Sequence, residues 1–293
     1  MFELRRLRLL HELAQRGTIA AVAQALSYSP STISQQLAQL ERDAGVALLT
    51  PDGRRVRLTA HGETLAAFAA RALAADEEIR GEREELPGLV APVRVAVIPT
   101  AARTIVPSAL TLLAARAPGL RVELAELPPE EGLFELGARG FDLAIAEQYP
   151  GLTRPHRSEL DRDVLGSDPI RLATSGEPRP LAALGVRPWV PEPSGTAARE
   201  WALQQCRAAG FEPDVRFELA DLGGHVELIA AGHAVGLLPD LLWGGGVPRV
   251  RLTPLPGAAV REIFTAARRA SRNRPGIRAV RDALSDAFAA RSR

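Results

Sequence analysis

Gly17-Thr-Ile-Ala-Ala-Val-Ala-Gln-Ala-Leu26, then Ser27-Tyr28-Ser29, then Pro30-Ser-Thr-Ile-Ser-Gln-Gln-Leu-Ala-Gln-Leu40 is the stretch that decides the fold. Thr18 predicts the cap of a short helix with Ile19, Val22, Ala23 and Leu26 along one face. Ser27-Tyr28-Ser29 interrupts that helix. Ser29 followed by Pro30 then predicts the cap and first turn of another, which carries Ile33, Leu37 and Leu40 inward. Two helices this short, joined by so tight a turn, read as a helix-turn-helix.

Working outward, Leu4, Leu7, Leu10 and Leu13 recur at helical spacing and predict a preceding helix that ends near Gly17. On the other side, Asp52-Gly53 lies between Leu48-Leu49 and the alternating Val56 and Leu58. Asp-Gly is a favoured tight turn, so this segment predicts a hairpin wing. From Ala60 to about Glu85 there is no proline, and Leu65, Phe68, Ala69, Ala72, Leu73, Asp76 and Ile79 form a stripe. A long helix with a narrow apolar seam packs against a copy of itself. Leu86-Pro87-Gly88 ends it and Pro92 closes a short hinge.

From residue 93 strands alternate with helices. Val93–Pro99, Arg121–Leu127 and Phe141–Ala146 are expected strands, with helices over 103–117 and 129–138. A second series follows: strands Pro169–Thr174, Pro188–Val190, Val215–Leu219 and Ala234–Leu238, with helices at 196–209 and 222–231. Val250–Leu255, Glu262–Ala267 and a helix over 276–290 complete the chain. The fold class is α/β with an all-α winged helix-turn-helix N-terminal domain, and the C-terminal part forms two α/β lobes with a cleft between them. The expected organisation is a winged helix-turn-helix domain over 1–59, a linker and dimerisation helix over 60–86, a hinge over 87–92 and a two-lobed α/β domain over 93–293. Within the last, lobe I covers about 93–165 and 265–293, and lobe II about 166–264.

The chain has 293 residues, 46% of them hydrophobic and 24% charged, which fits a globular protein and excludes a disordered or fibrous one. Its single cysteine, Cys206, excludes an internal disulfide framework and any multi-thiolate metal site. No apolar run approaches the ~18–20 residues of a membrane span, and the start Met1-Phe-Glu-Leu-Arg-Arg does not read as a signal peptide. A cytoplasmic, nucleoid-associated protein is expected. The net charge of +1 hides an asymmetry: residues 1–62 carry eight arginines against five acids, so the head is +3 and the remainder −2. A basic head on a mildly acidic body suggests a nucleic-acid end and a second, separate functional end.

Ser31, Thr32, Ser34, Gln35, Gln36 and Gln39 stand away from Ile33, Leu37 and Leu40 on the second helix of the motif. Short hydroxyls and amides on a helix face suit base-edge reading in the major groove, where Gln pairs bidentately with adenine. Arg54, Arg55 and Arg57 on the wing suit phosphate contact or minor-groove insertion. Any one of these residues could equally sit on an ordinary solvated face. The ordered combination of helix, turn, polar helix and basic wing points to double-stranded DNA, and the resemblance that follows implies promoter DNA.

At this point the sequence resembles the LysR-type transcriptional regulators. Gly17 to Leu26 is similar to the family's second helix. Ile33-Ser-Gln-Gln-Leu37, Leu40-Glu41 and Gly45 are similar to its recognition helix and exit. Arg54, Val56, Leu58-Thr59 and Gly62 resemble its wing-to-linker signature. Pro30, Ser31 and Gln35 depart from the family's usual Gln, Pro and Arg, and Leu49 and Pro51 stand for a usual Phe and Arg. The departures at Pro30, Ser31 and Gln35 imply a different half-site, and those on the wing remove one basic backbone contact. Phe141-Asp-Leu-Ala-Ile145 and Ala231-Gly-His-Ala-Val-Gly-Leu-Leu-Pro239 resemble segments of the family's effector-binding half. The resemblance implies two lobes similar to periplasmic binding proteins, a homodimer or homotetramer, and contact with RNA polymerase.

In open α/β lobes, ligands collect beyond the carboxyl ends of strands, where helix N-termini offer free N–H groups. That rule picks out Thr100-Ala101-Ala102-Arg103 after the first strand, and Ser194 and Thr196 before a helix of lobe II. Glu147, Gln148, Leu222 and Gly223 would complete the walls. A small-molecule effector, favoured as an organic anion, is expected there, with Arg103 adding charge; simple helix capping is the alternative for Thr100, Ser194 and Thr196. Cys206 reads as a buried small hydrophobe, His225 as a possible cleft residue, and Trp189, Trp201 and Trp243 as core. Neither a nucleophile motif, a dinucleotide fingerprint nor metal-ligand spacing appears, so no enzyme, cofactor or metal is expected. Two rival readings remain at this level: a two-lobe small-molecule enzyme, and an architectural DNA-binding protein without an effector.

Overall fold

The structure is a computed structural model that describes residues 1–53, 55–83, 91–152, 157–257 and 259–291. It divides into two compact units: Met1–Val90 with Ala138–Gly140 and Arg269–Pro275, and Ala91–Gly137 with Phe141–Arg268 and Gly276–Arg293.

The first unit contains α1 (Leu4–Arg16), α2 (Ile19–Leu26), α3 (Pro30–Ala44), the hairpin strands β1 (Leu49–Asp52) and β2 (Arg55–Leu58), and α4 (Ala60–Arg83). Local chemistry sets each boundary. Gly17 ends α1 in the left-handed region at φ 74°. The Thr18 hydroxyl accepts from the Ala21 N–H, and the Ser29 hydroxyl from the Thr32 N–H, each at 3.1 Å. Leu10, Leu13, Val22, Ile33, Leu37 and Leu40 close the core at 0–1% exposure. A fully buried side chain of this kind contributes about 1.5–3 kcal/mol. Gly62 sits where α4 meets the wing, and a Cβ there would strike the Leu48 carbonyl.

The stripe expected on α4 divides between two faces. Ala66 and Ala69 are buried against α1 and Leu73 is buried as well, whereas Phe68 and Ile79 stand 42% and 60% exposed. The reason is geometric: the small residues let α4 lie close on α1, so the apolar face that sequence spacing alone assigns to a partner is partly used at home. The expected end of this helix at Leu86-Pro87-Gly88 and the start of the hinge lie outside the described residues, as does Arg54.

The second unit begins with β3 (Val93–Val97), α5 (Pro99–Thr104), α6 (Val106–Arg116), β4 (Val122–Glu126), α7 (Pro129–Gly137) and β5 (Leu143–Gln148). It continues through β6 (Leu160–Thr174), β7 (Pro188–Trp189), α8 (Ala197–Ala208), β8 (Asp214–Val215), α9 (Leu222–Ala230) and β9 (Gly236–Pro239). β10 (Arg251–Pro254), β11 (Val260–Arg268) and α10 (Pro275–Arg291) finish it. The main sheet runs β10-β6-β11-β5-β3-β4, with β9 also on β6. β3 is parallel to β4 and β5, while β11 is antiparallel to both β5 and β6. A small β7-β8 sheet lies apart. Val95, Val97, Ile145, Ile263, Val280 and Leu284 anchor one core, and Ile170, Leu172, Trp189, Trp201 and Val235 another.

Two expectations need correction here. The helix expected over 103–117 is two helices, α5 and α6, and the first starts at Pro99. Pro99 suits a first turn, and Pro107, lacking an N–H, sits at the start of α6 where none is needed. The strand expected from Pro169 reaches back to Leu160 and is 15 residues long. Its first half, Asp161-Arg-Asp-Val-Leu-Gly-Ser-Asp168, lacks an apolar alternation, but pairing with β11 along Leu160–Pro169 makes it a strand all the same.

Candidate functional site

The exposed side of α3 sorts the expected reading residues by how free they are. Gln36 Oε1 accepts from Arg6 Nε at 3.2 Å, and Gln39 bonds Asp43 at 2.8 Å as well as Arg42. Ser31 and Thr32 hydroxyls lie 2.8 Å from the Ser29 hydroxyl, and Ser34 donates to the Pro30 carbonyl at 3.0 Å. Gln35 is exposed and has no partner among the described residues. Its amide is therefore the one on this face with its whole hydrogen-bonding capacity free. On the wing, Arg55 and Arg57 alternate with the half-buried Val56 and Leu58, which turns both guanidinium groups outward.

The cleft centres on a residue that sequence reading did not select. Arg261, on β11, is 2% exposed. Its guanidinium donates to Glu147 at the end of β5, to Asp168 Oδ2 on β6 at 2.9 Å, and to the Thr100 hydroxyl on α5 at 3.0 Å. Asp168 also accepts from the Leu241 N–H at 2.8 Å. Burial works against the Arg261 charge, but the neighbouring carboxylates of Glu147 and Asp168 outweigh it and hold the group charged. Burial raises Asp168 and, more strongly, Tyr149, where the Glu147 charge adds to the effect. Four elements are thus tied to one cation at the place where β5, β6 and β11 run side by side.

Thr100 and Glu147, both expected in the cleft, meet there, while their companions do not. Thr100 lies inside the first turn of α5, with Ala101 fully buried and Ala102 half-buried behind it. Arg103 is exposed, so the cation that meets Thr100 is Arg261 instead. Gln148 is half-buried and donates to the Tyr149 carbonyl at 3.1 Å. The Thr196 hydroxyl caps α8, accepting from the Arg199 N–H at 3.3 Å and donating to the Pro193 carbonyl at 2.8 Å. Ser194 hydrogen-bonds Glu218 at 3.2 Å. Gly223 and Gly224 already donate to the Asp221 carboxylate, at 2.9 and 3.2 Å. Gly223, expected as part of the cleft wall, thus meets a built-in carboxylate.

Beside the cluster, Tyr149, Trp189, Trp201, Glu192, Leu222 and His225 wall a cavity with a free volume of about 20 Å³, room for about one water. Leu222 was expected here; Glu192 was not. Burial and the Glu147 charge push the Glu192 carboxyl up, against the pull of Arg261. Cys206 is fully buried, and its thiol is pushed up to about 12 by burial and by Glu212.

Residues 4–63 match the family model "Bacterial regulatory helix-turn-helix protein, lysR family", and residues 88–289 match "LysR substrate binding domain". The chain belongs to the LysR family of transcriptional regulators. Among its LysR relatives, a probable hydrogen peroxide-inducible genes activator of Mycobacterium avium is 30% identical over 88% of this chain and 86% of that protein. The regulator ClcR of Pseudomonas putida is 28% identical over 87% and 89%. A full-length OxyR variant from Pseudomonas aeruginosa shares the fold with a TM-score of 0.66 at 22% identity, covering 98% of this chain and 95% of that one. CbnR complexed with its target DNA gives a TM-score of 0.54 at 23% identity, covering 98% and 100%. As a LysR-type regulator, the chain combines a winged helix-turn-helix with a two-lobed, periplasmic-binding-protein-like domain and works as a ligand-sensing transcriptional regulator. Among the described residues no helix is long and apolar enough to cross a membrane.

Proposed function

We propose that α3 reads operator bases chiefly through Gln35, with Ser31, Thr32, Ser34, Gln36 and Gln39 beside it, and that Arg54, Arg55 and Arg57 hold the phosphate backbone. The small-molecule effector enters the cleft bounded by Thr100, Glu147, Asp168, Arg261 and Glu192. What carries this reading is the buried Arg261 cluster: it ties α5 and β5 to β6 and β11, the strands that pass between the lobes. A ligand that exchanges contacts with this cluster changes the relative stability of two lobe arrangements, which is the only way it can shift the assembly. The regulator acts in the cytoplasm, on promoter DNA, as a homodimer or homotetramer in contact with RNA polymerase. It acts by binding and not by catalysis.

The relatives named for hydrogen peroxide induction raise thiol sensing as a second reading. Cys206 speaks against it, because a buried thiol held as high as about 12 supplies almost no thiolate at neutral pH. The test of the main reading is footprinting of the full-length protein on DNA upstream of its own gene, with and without a bound effector. A protected site whose length or bending changes with effector is expected. An effector that binds and leaves both unchanged sinks the proposal.

A further inference from the structure

The cavity beside the Arg261 cluster asks for a particular chemistry. Three carboxyl groups, Glu147, Asp168 and Glu192, surround one guanidinium, and Arg261 already donates to Glu147, Asp168 and Thr100. His225 adds a second demand. It is 1% exposed, and its Nε2 lies 2.8 Å from the Leu219 carbonyl, which can only accept. Nε2 therefore carries the proton, and burial keeps the ring neutral. Nδ1 is then a bare acceptor, buried without a hydrogen-bond partner, on a ring that lines the cavity. An unmet buried acceptor costs about 1–3 kcal/mol, so it marks a place where a donor belongs.

We propose that the effector of this regulator carries a primary ammonium group, which enters the cavity between the Glu192 carboxyl group and His225 Nδ1, with Glu192 releasing its proton to solvent as the cation binds. This rests on the effector-sensing reading above and names the ligand class for that same cleft. Trp189, Trp201 and Tyr149 supply aromatic faces that favour a cation and an apolar body attached to it. An anion meets the opposite conditions. The α9 N–H groups of Gly223 and Gly224 are taken by Asp221, Thr196 caps α8, and the excess local charge is negative. The free volume of about 20 Å³ admits a head group in the present arrangement, and a longer body requires the lobes to part.

The test uses the full-length protein and two sets of matched probes: n-propylamine, 1-propanol and propionate, and benzylamine, benzyl alcohol and benzoate. Binding is followed by calorimetry and by tryptophan emission, since Trp189 and Trp201 line the cavity. The amines are expected to bind at least about tenfold more tightly than their alcohols and acids, the scale of a charge-assisted hydrogen bond. Glu192→Gln should remove most of that advantage of amine over alcohol, and His225→Phe should weaken amine binding several-fold. Tighter binding of the acids overturns the ammonium assignment and leaves the sensing cleft standing. If no probe of any charge binds, the assignment and the sensing reading both fall. The preference among probes is read on the unaltered protein, so it does not depend on either variant folding.

Discussion

Arg261 and Glu147 stand 114 positions apart in the chain, yet their side chains form one buried ion pair at the centre of the cleft. Asp168 closes the same guanidinium from β6, so three strands share a single buried positive charge. The pairing follows from register: β11 lies between β5 and β6, and Arg261 is opposite Asp168 in the ladder.

Arg261→Met should therefore destabilise the protein by about 3–5 kcal/mol, because it leaves two buried carboxyl groups without their cation. Urea denaturation measures this. Adding Glu147→Gln and Asp168→Asn should restore most of the loss, since all three charges are then gone. A loss below about 1 kcal/mol in the single variant would show that the cluster is not the lobe tie described here.

Gln35 and Arg57 should differ in the kind of loss they cause on DNA. Gln35→Ala is expected to relax sequence preference at one or two base pairs, at about 1–3 kcal/mol of discrimination. Arg57→Ala should weaken binding to all sequences alike and lower the salt-dependence slope by about 0.9. Binding titrations across a salt series on operator and scrambled DNA separate the two. Equal losses on both DNAs for Gln35→Ala would remove that residue from base reading.

Glu192 gives the stability of the protein a pH dependence of definite sign. Burial, then the charge of Glu147, raises its carboxyl from an ordinary 4.5 to about 8, while Arg261 opposes and Glu130 adds to the rise. The folded protein thus keeps a proton that the unfolded chain loses, and this contribution to stability falls as pH rises from about 5 to about 8. Thermal melting over that range should show a decline that Glu192→Gln flattens. His225 and Tyr149 share the cavity, and neither accounts for such a decline, because His225 is held neutral and Tyr149 is raised away from this range. A decline of equal slope in the variant would assign the effect elsewhere.

Gly62→Ala should cost about 1–3 kcal/mol by overpacking, because its new Cβ meets the Leu48 backbone rather than a yielding side chain. Calorimetric melting gives the size. The wing and α4 meet at this contact, so operator affinity should fall with it.

Cys206 should react with a thiol reagent only when the protein unfolds, given full burial and a thiol pushed up to about 12. Operator footprints should likewise be the same before and after hydrogen peroxide. Rapid labelling of the folded protein would bring thiol sensing back.

The DNA-binding head was legible because its signals are local. Thr18, Ser29, Pro30, Gly17 and Gly45 cap or end helices within a few residues of where they stand. Of the expected cleft residues, Glu147 at the end of β5 and Thr100 just past β3 are the two that meet at Arg261, and both stand where a general rule places ligands. Arg261 and Asp168 were missed because their partners are distant, although a signal existed. Arg261 alternates with Ile263, Thr265 and Ala267, and Asp168 with Ile170 and Leu172, all of them buried. A charged residue in phase with an inward face requires a buried counter-charge. Asp221 before Leu222-Gly-Gly is likewise a cap in plain view, and it takes up the N–H groups of Gly223 and Gly224.

β6 is a single strand of 15 residues that pairs with β11 over its first part and with β9 and β10 over its last. Loss or gain of one residue between Leu160 and Ser167 would turn every later side chain of that strand to the opposite face. Asp168 would swing away from Arg261, and Ile170 and Leu172 would leave their core in the same step. Loops elsewhere in the domain can lengthen or shorten over evolutionary time without this penalty. In β6, the spacing that sets its two groups of strand pairs and the spacing that brings Asp168 to Arg261 are one quantity, so neither can drift without the other.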